Sequence, residues 1–335
     1  MHCLAVSLAA RGMRVRHIVF DDHSLPRRSQ GVELIRQQPM HAGDGLHRRV
    51  RYVVDALARA DGAVYVQRSA GSETGVVGLY ARSRGRQFIL STSWDGDLSL
   101  ATPISRLARF SYRVGRRLAT VVVVQTESQL AEARSLVDVP VHLIRSFAEP
   151  ASELSQSHQR EAFLWVGRIA EYKDPLSYLE LAERLPDARF WMVATDGGPR
   201  TLLSIQLRER AERLPNLQLL EPRPREELFD LYRRTLAVVN TSTVEGFPNT
   251  LLEGWSCGAA ALSLRLDPDG VIARYGLGAT AGGSIDTLET QARELWASAE
   301  RLDAIAANAR RYLREVHSAA VVGAQWAELI ATLLA

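Results

Sequence analysis

The stretch Asn240-Thr241-Ser242-Thr243-Val244-Glu245-Gly246-Phe247-Pro248-Asn249-Thr250-Leu251-Leu252-Glu253-Gly254-Trp255-Ser256-Cys257-Gly258 reads as a strand end, a tight turn and a helix. The β-rich run 237–240 places the strand end near Asn240. Gly246 suits a tight turn, Pro248 is tolerated in the first turn of a helix, and Gly258 closes that helix after Cys257. The first-turn amides, Asn249 to Leu251, are then expected to point out of the carboxyl edge of a sheet, where they and the helix dipole favour an anionic phosphate. Glu245 precedes the helix and Glu253 lies on it, about one turn beyond those amides. Two carboxylates therefore flank one anion site.

Outward from this unit, short β-rich runs alternate with helix-length amphipathic segments along the whole chain. In the second half the runs are 163–166, 189–194, 217–220, 237–240, 259–264 and 278–281. In the first half they are 16–20, 63–67, 87–91, 120–125 and 141–145, with helical stretches at 45–60, 74–84 and 104–117 between them. Such alternation implies parallel sheets wound by right-handed crossovers, and two series imply two doubly wound, Rossmann-like α/β domains. The domains are read as 1–150 and 151–316, with 317–335 a helix returning towards the first. The polar segment 146–160, with Ser152, Ser155, Gln156, Ser157, His158 and Gln159, marks the seam.

One irregularity stands out. A doubly wound domain opens with a buried strand and a glycine-rich turn, whereas Met1 already falls in a helix closed by Gly12. The first domain is read as lacking its opening strand. Either the start is short by roughly 15–25 residues, the size of a strand, a loop and half a helix, or the domain manages without them.

Composition narrows the function classes. The 335 residues are 46% hydrophobic and 24% charged, the balance of a globular protein with a real core. Cys3 and Cys257 are too few for a disulfide framework or a cysteine zinc site, which makes a reducing compartment the default. No run approaches the apolar length of a membrane span, and the apolar start at 4–10 has no basic region before it, so a cytoplasmic location is expected. Residues 1–150 hold 21 Arg and no Lys against 13 acidic residues, a balance of +8; residues 151–335 hold 19 Arg and one Lys against 25 acidic residues, a balance of −5. The single lysine is Lys173. No phosphate-binding loop of the Gly-x4-Gly-Lys-Ser/Thr type is present, and the aromatic residues are not interleaved with basic runs, so no nucleic-acid partner is expected. The eight histidines show no metal-ligand spacing; His17, His142 and His317 read as packing or surface residues.

The element Glu245-Gly-Phe-Pro-Asn-Thr-Leu-Leu-Glu253, together with Phe163-Leu-Trp-Val-Gly167-Arg168 and then Lys173, resembles the nucleotide-sugar-binding half of retaining GT-B glycosyltransferases of family 4, the group 1 glycosyltransferases. Asp196-Gly197-Gly198-Pro199 and Pro268-Asp269-Gly270-Val271 occupy comparable turns. The resemblance extends from about Phe163 to the C-terminal helix and is weaker, though in order, over 1–150. It implies that the two Rossmann-like domains face a cleft, that Glu253 accepts hydrogen bonds from the ribose hydroxyls, that Glu245 faces hydroxyls of the donor sugar, and that Arg168 and Lys173 hold the diphosphate. Gly167, Gly246, Phe247, Asn249, Thr250 and Leu251 complete the expected donor site. Breaking the bond between sugar and diphosphate leaves an oxocarbenium-like sugar and a dianion, so two fixed cations and a helix N-terminus sit where charge grows.

The implied partners are an NDP-sugar donor, UDP- or GDP-linked, and a saccharide or lipid-linked acceptor in cell-surface polysaccharide or glycan biosynthesis, with no cofactor. Asp95-Gly96-Asp97 matches the Asp-x-Asp metal motif of the other glycosyltransferase fold class, but it lies far in sequence from the donor turn, and GT-B enzymes do not depend on such a pair; no metal is expected. Asp95 is instead the acceptor-side candidate, in the stretch Leu90-Ser-Thr-Ser93-Trp94-Asp95, where many family members carry a histidine. Arg106, Arg109, Arg113, Arg116 and Arg117 form a basic stripe on one helix beside Leu107, Phe110, Val114 and Leu118. It reads either as a solvated face or as a contact with anionic lipid headgroups or a lipid-phosphate acceptor, peripheral at the inner face of the plasma membrane. Three rivals stay open: an NDP-sugar epimerase on the same architecture, a non-catalytic nucleotide-sugar-binding subunit, and a dehydrogenase, which lacks its Gly-x-Gly-x-x-Gly turn.

Overall fold

The computed structural model describes residues 2–20, 26–38, 43–69, 71–98, 105–151 and 160–335. Most of the seam residues named above, Ser152 to Gln159, lie outside them, as does Ile104 at the start of the basic helical stretch. The chain divides into two compact units, residues 1–147 with 318–335, and residues 148–317.

The first unit opens with α1 (His2–Ala9), left at Gly12 with φ +83°, and continues through β1 (Arg16–Phe20), β2 (Arg28–Ser29), β3 (Val32–Gln37) and α2 (Leu46–Ala60). β4 (Val64–Arg68), α3 (Thr74–Ser83), β5 (Gln87–Ser91), α4 (Arg106–Leu118), β6 (Val121–Val124), α5 (Glu127–Leu136) and β7 (Val141–Leu143) follow. The strands form two separate ladders, β1-β3-β2 and β4-β5-β6-β7. β2 and β3 were not expected from periodicity. They are an antiparallel hairpin joined by Gln30 and Gly31, whose φ values of +47° and +82° are those of a two-residue turn matched to strand twist.

In the second unit, β8 (Ala162–Arg168), α6 (Pro175–Arg184), β9 (Phe190–Thr195), α7 (Leu202–Ala211) and β10 (Leu217–Leu220) form the first half. The second half is α8 (Arg225–Arg233), β11 (Thr235–Asn240), α9 (Asn249–Ser256), β12 (Ala260–Ser263), α10 (Val271–Tyr275) and β13 (Gly278–Thr280). α11 (Ile285–Ala297), α12 (Ala299–Tyr312) and a π-helical turn (Leu313–His317) complete the unit. Its six parallel strands run in the order β10-β9-β8-β11-β12-β13. Alternate residues of each strand enter opposite cores, which is why the strands read as continuous apolar runs. Phe163, Trp165, Phe190 and Met192 pack with α6, α7 and α11; Leu164, Trp191, Val193 and Val238 pack with α8, α9 and α10.

The last helix, α13 (Ala319–Leu334), belongs to the first unit. Its Val322, Trp326, Leu329 and Ile330 join Leu4 and Leu8 of α1 over Ile89, Val121 and Val123. The other sheet face carries α2, α3 and α4, through Leu57, Val77, Ala81 and Tyr112. α3 and α4 touch backbone to backbone: a Cβ on Gly115 would lie 2.3 Å from the Thr74 carbonyl oxygen, and one on Gly75 would lie 2.5 Å from that of Ser111.

Candidate functional site

β8 and β11 are paired neighbours at the centre of the six-stranded sheet. From β8 the chain winds outward to β9 and β10; at β11 it resumes on the other side and winds to β12 and β13. This reversal opens a crevice at the carboxyl ends of β8 and β11, the place where open α/β sheets bind ligands. The segments leaving these two strands carry Lys173 and Glu245.

The polypeptide after β8 makes a 3₁₀ turn, Glu171–Lys173, and enters α6 through Asp174 and Pro175. Hydrogen bonds fasten this turn, and β8 before it, to the loop after β11. The Thr243 amide donates to the Tyr172 carbonyl at 2.8 Å. The Thr241 hydroxyl donates to the Lys173 carbonyl at 2.7 Å and accepts from the Trp165 indole at 3.1 Å. Held in this way, the Lys173 ammonium donates directly to Oε1 of Glu245. The same oxygen accepts the Ser242 hydroxyl at 2.8 Å. The lysine and the first glutamate of the motif therefore form one cluster, as a half-buried ion pair.

The helix start next to it is open. Pro248 occupies the N-cap of α9 and supplies no side-chain acceptor. Among the described hydrogen bonds, none engages the amides of Asn249 and Thr250, whereas that of Leu251 turns back to the Pro248 carbonyl at 3.2 Å. The expected trio of free amides is thus a pair, because the helix tightens in its first turn. Leu251 is buried, as is Phe247, whose ring packs against His317 with centroids 5.2 Å apart and against Trp255 at 6.3 Å. Phe247 anchors the turn from the core side. Gly246 is buried too but does not use the left-handed backbone region; Gly258, at φ +77°, does, where it ends the helix.

Glu253 has different partners. Its Oε2 accepts the Tyr232 hydroxyl at 3.0 Å, and Oε1 lies 3.7 Å from the Arg225 guanidinium. Burial pushes this carboxyl above its ordinary value, against the Tyr232 hydrogen bond and the Arg225 charge, which draw it down. Arg168 is exposed at the end of β8; its side chain lies against Gly197, where a Cβ would meet Arg168 Cδ at 2.6 Å. Gly167 has the same kind of reason, since a Cβ there would lie 2.9 Å from the Trp165 ring. In Asp196-Gly197-Gly198-Pro199, Asp196 accepts from Ser204 and, at 3.1 Å, from Arg208, and these bonds hold its carboxyl below its ordinary value.

Asp95 lies in the first unit, where its Oδ1 accepts the Gln129 amide at 2.9 Å. Asp97 is buried and closes a turn, accepting the Ser93 amide at 2.6 Å and the Ser93 hydroxyl at 3.0 Å. Among the described residues, no group of three or more His, Cys, Asp or Glu side chains is placed to hold a metal ion.

Tyr232, Ser242, Thr241 and Arg265, whose guanidinium donates to the Thr241 carbonyl at 2.7 Å, are parts of this site that were not among the expected site residues. The polar run Asn240-Thr241-Ser242 ending an apolar strand was a usable signal for two of them. Tyr232 and Arg265 arrive from other elements by tertiary folding and carry no local signature.

Residues 149–311 match the family model described as Glycosyl transferases group 1. Sucrose-phosphate synthase from Thermosynechococcus elongatus superposes with a TM-score of 0.78 at 14% identity, over 99% of this chain and 92% of that one. HepE from Anabaena, solved in complex with UDP and glucose, gives 0.73 at 16% identity over 98% and 95%. WaaG, a glycosyltransferase involved in lipopolysaccharide biosynthesis, gives 0.68 at 16% identity over 98% and 94%. No curated protein matches the chain by sequence. The fold, with its parallel-sheet Rossmann-like units, is that of the GT-B glycosyltransferase structures.

Proposed function

We infer that the chain is a retaining glycosyltransferase of family 4 that moves a hexosyl group from a UDP- or GDP-linked sugar to a saccharide or lipid-linked acceptor in the cytoplasm. The observation that carries this reading is the contact between Lys173 and Glu245 at the sheet reversal, beside the two open amides of α9. In the proposed complex those amides, Lys173 and Arg168 stabilise the diphosphate as it gathers charge, with no metal ion required. Glu253 accepts the ribose hydroxyls. Glu245 positions the donor sugar and stabilises its positive charge, while the leaving phosphate takes the acceptor's proton on the face it departs from. Asp95 is assigned to the acceptor.

The group 1 family match over 149–311 and the UDP and glucose in the HepE complex support a nucleotide-sugar donor. The test is a thermal-shift panel with UDP, GDP, ADP and their sugar conjugates, since a ligand present at about 100 times its Kd adds roughly 2.7 kcal/mol of stability. Stabilisation by one nucleotide and its sugar conjugates, followed by transfer to an added acceptor with the anomeric configuration kept, is the expected result. Donor isomerisation without an acceptor would assign an epimerase instead, binding without turnover would assign a binding subunit, and an inverted product would remove the family 4 reading.

A further inference from the structure

The outer face of α2, α3 and α4 has no role in the donor site, and its composition is one-sided. These helices hold four, one and five arginines against a single acidic residue, Asp55. α4 contains no acidic residue at all. Its Arg106, Arg109, Arg113 and Arg117 are exposed, and among the described residues none of the four makes an ion pair or hydrogen bond through its side chain. Phe110 stands among them 65% exposed and Leu107 beside it 54% exposed, while Leu79 of the adjoining α3 is 56% exposed.

Position along the helix explains the pattern. Arg106, Phe110, Arg113 and Arg117 recur at spacings of four, three and four, which is one face of an α-helix. Tyr112 and Gly115 lie on the opposite face, Tyr112 in the core and Gly115 against the Thr74 backbone. That backbone contact fixes the rotation of α4 and turns Phe110 and the arginines outward together. A solvated helix face would mix charge signs and omit the phenylalanine. Arginine beside exposed aromatic and aliphatic side chains, with no acid to neutralise it, is complementary to a surface that is anionic at its rim and apolar just beneath.

We propose that this face docks on an anionic phospholipid bilayer, with α4 lying in the plane of the interface. Phe110 and Leu107 enter the acyl boundary, and Arg106, Arg109, Arg113 and Arg117 meet the headgroup phosphates. The surface stands without the glycosyltransferase reading, because no residue in it belongs to the donor site.

The test is co-sedimentation of the full chain with vesicles of phosphatidylcholine alone or containing about 30% phosphatidylglycerol. Binding is expected with the anionic vesicles only. It should be lost in about 1 M NaCl, where the screening length drops to about 3 Å. Replacing Arg109→Glu, Arg113→Glu and Arg117→Glu together should weaken it about 100-fold, roughly 5-fold per arginine. The same number of reversals at exposed positions off the three helices, Arg14→Glu, Arg27→Glu and Arg28→Glu, should weaken it far less. Phe110→Ser should lower affinity while keeping the salt dependence. An unchanged thermal midpoint and an unchanged nucleotide-induced shift certify that each variant is folded. Equal binding to neutral vesicles, absence of binding, or equal loss in the control triple would overturn the proposal. So would a self-association in sedimentation velocity that the α4 variants abolish, because the face would then be an interface between copies.

Discussion

Oδ2 of Asp174 lies 2.8 Å from the Arg265 guanidinium, which also donates to the Thr241 carbonyl at 2.7 Å. Asp174 has φ +44°, a left-handed conformation that a non-glycine residue holds only when its surroundings insist. Arg265, arriving from beyond β12, thus clamps both segments that meet at Lys173 and Glu245. Arg265→Gln should lower kcat about 10-fold through displacement of Lys173, with a smaller effect on donor KM. Steady-state kinetics with the thermal midpoint measured alongside will decide; an unchanged kcat would exclude the positioning role.

Removing the ammonium itself should cost more. Lys173→Ala is expected to reduce turnover on the order of 10²–10³-fold, the usual loss when one fixed donor to a developing anion is deleted. Activity within a few-fold of the parent would remove Lys173 from the proposed chemistry.

Tyr232→Phe isolates the second carboxylate. Loss of the hydroxyl should weaken nucleotide binding by about 0.5–1.5 kcal/mol and push the Glu253 carboxyl further up. A carboxyl raised in the folded state favours folding below its unfolded value, and that contribution disappears as pH rises through the folded one. Ligand binding has the opposite sense, since the ionised oxygens accept the ribose hydroxyls: affinity should fall as pH drops through the raised value. Calorimetric titration across the acid range should show the fall beginning at higher pH in the variant. Superimposable profiles would contradict the assignment.

Gly115→Ala tests the seam between α3 and α4. Its methyl group would lie 2.3 Å from the Thr74 carbonyl oxygen, so the two backbones must shift apart and about 1–3 kcal/mol of destabilisation is expected. Calorimetry should show the loss as a midpoint lowered by about 2–4 °C per kcal/mol. An unchanged midpoint would mean that the helices separate freely.

Asp95→Asn should depress transfer to the acceptor and leave the nucleotide-induced thermal shift untouched. A lost thermal shift would make Asp95 part of donor binding instead.

The second unit was legible because its strands are buried on both faces, which leaves unbroken runs such as Phe163-Leu-Trp-Val, and because Pro248 and Gly258 punctuate α9. The pairing of Lys173 with Glu245 was legible only as joint membership of one site: residues 72 apart in sequence meet through parallel pairing of β8 with β11, which no local pattern encodes. The hairpin at Gln30 and Gly31 was missed for another reason. Two residues at positive φ make it, one of them a glutamine, and β2 is only two residues long, too short for alternation to register. The third first-turn amide failed on a detail finer than sequence, the inward turn of Leu251 towards Pro248.

The division of the first unit's strands into two ladders has a mechanical consequence. Among the described residues β1 pairs with β3 and β4 with β5, and no other strand pairs with the far side of either. Val15 beside β1 shares a core with Val64 and Val66 of β4, and Ile18 shares another with Tyr65, so side chains rather than peptide groups hold the two ladders together. Apolar contact resists sliding less well than a hydrogen-bonded register does, so the amides of the β1-β3-β2 ribbon should exchange with deuterium before those of β4-β5-β6-β7.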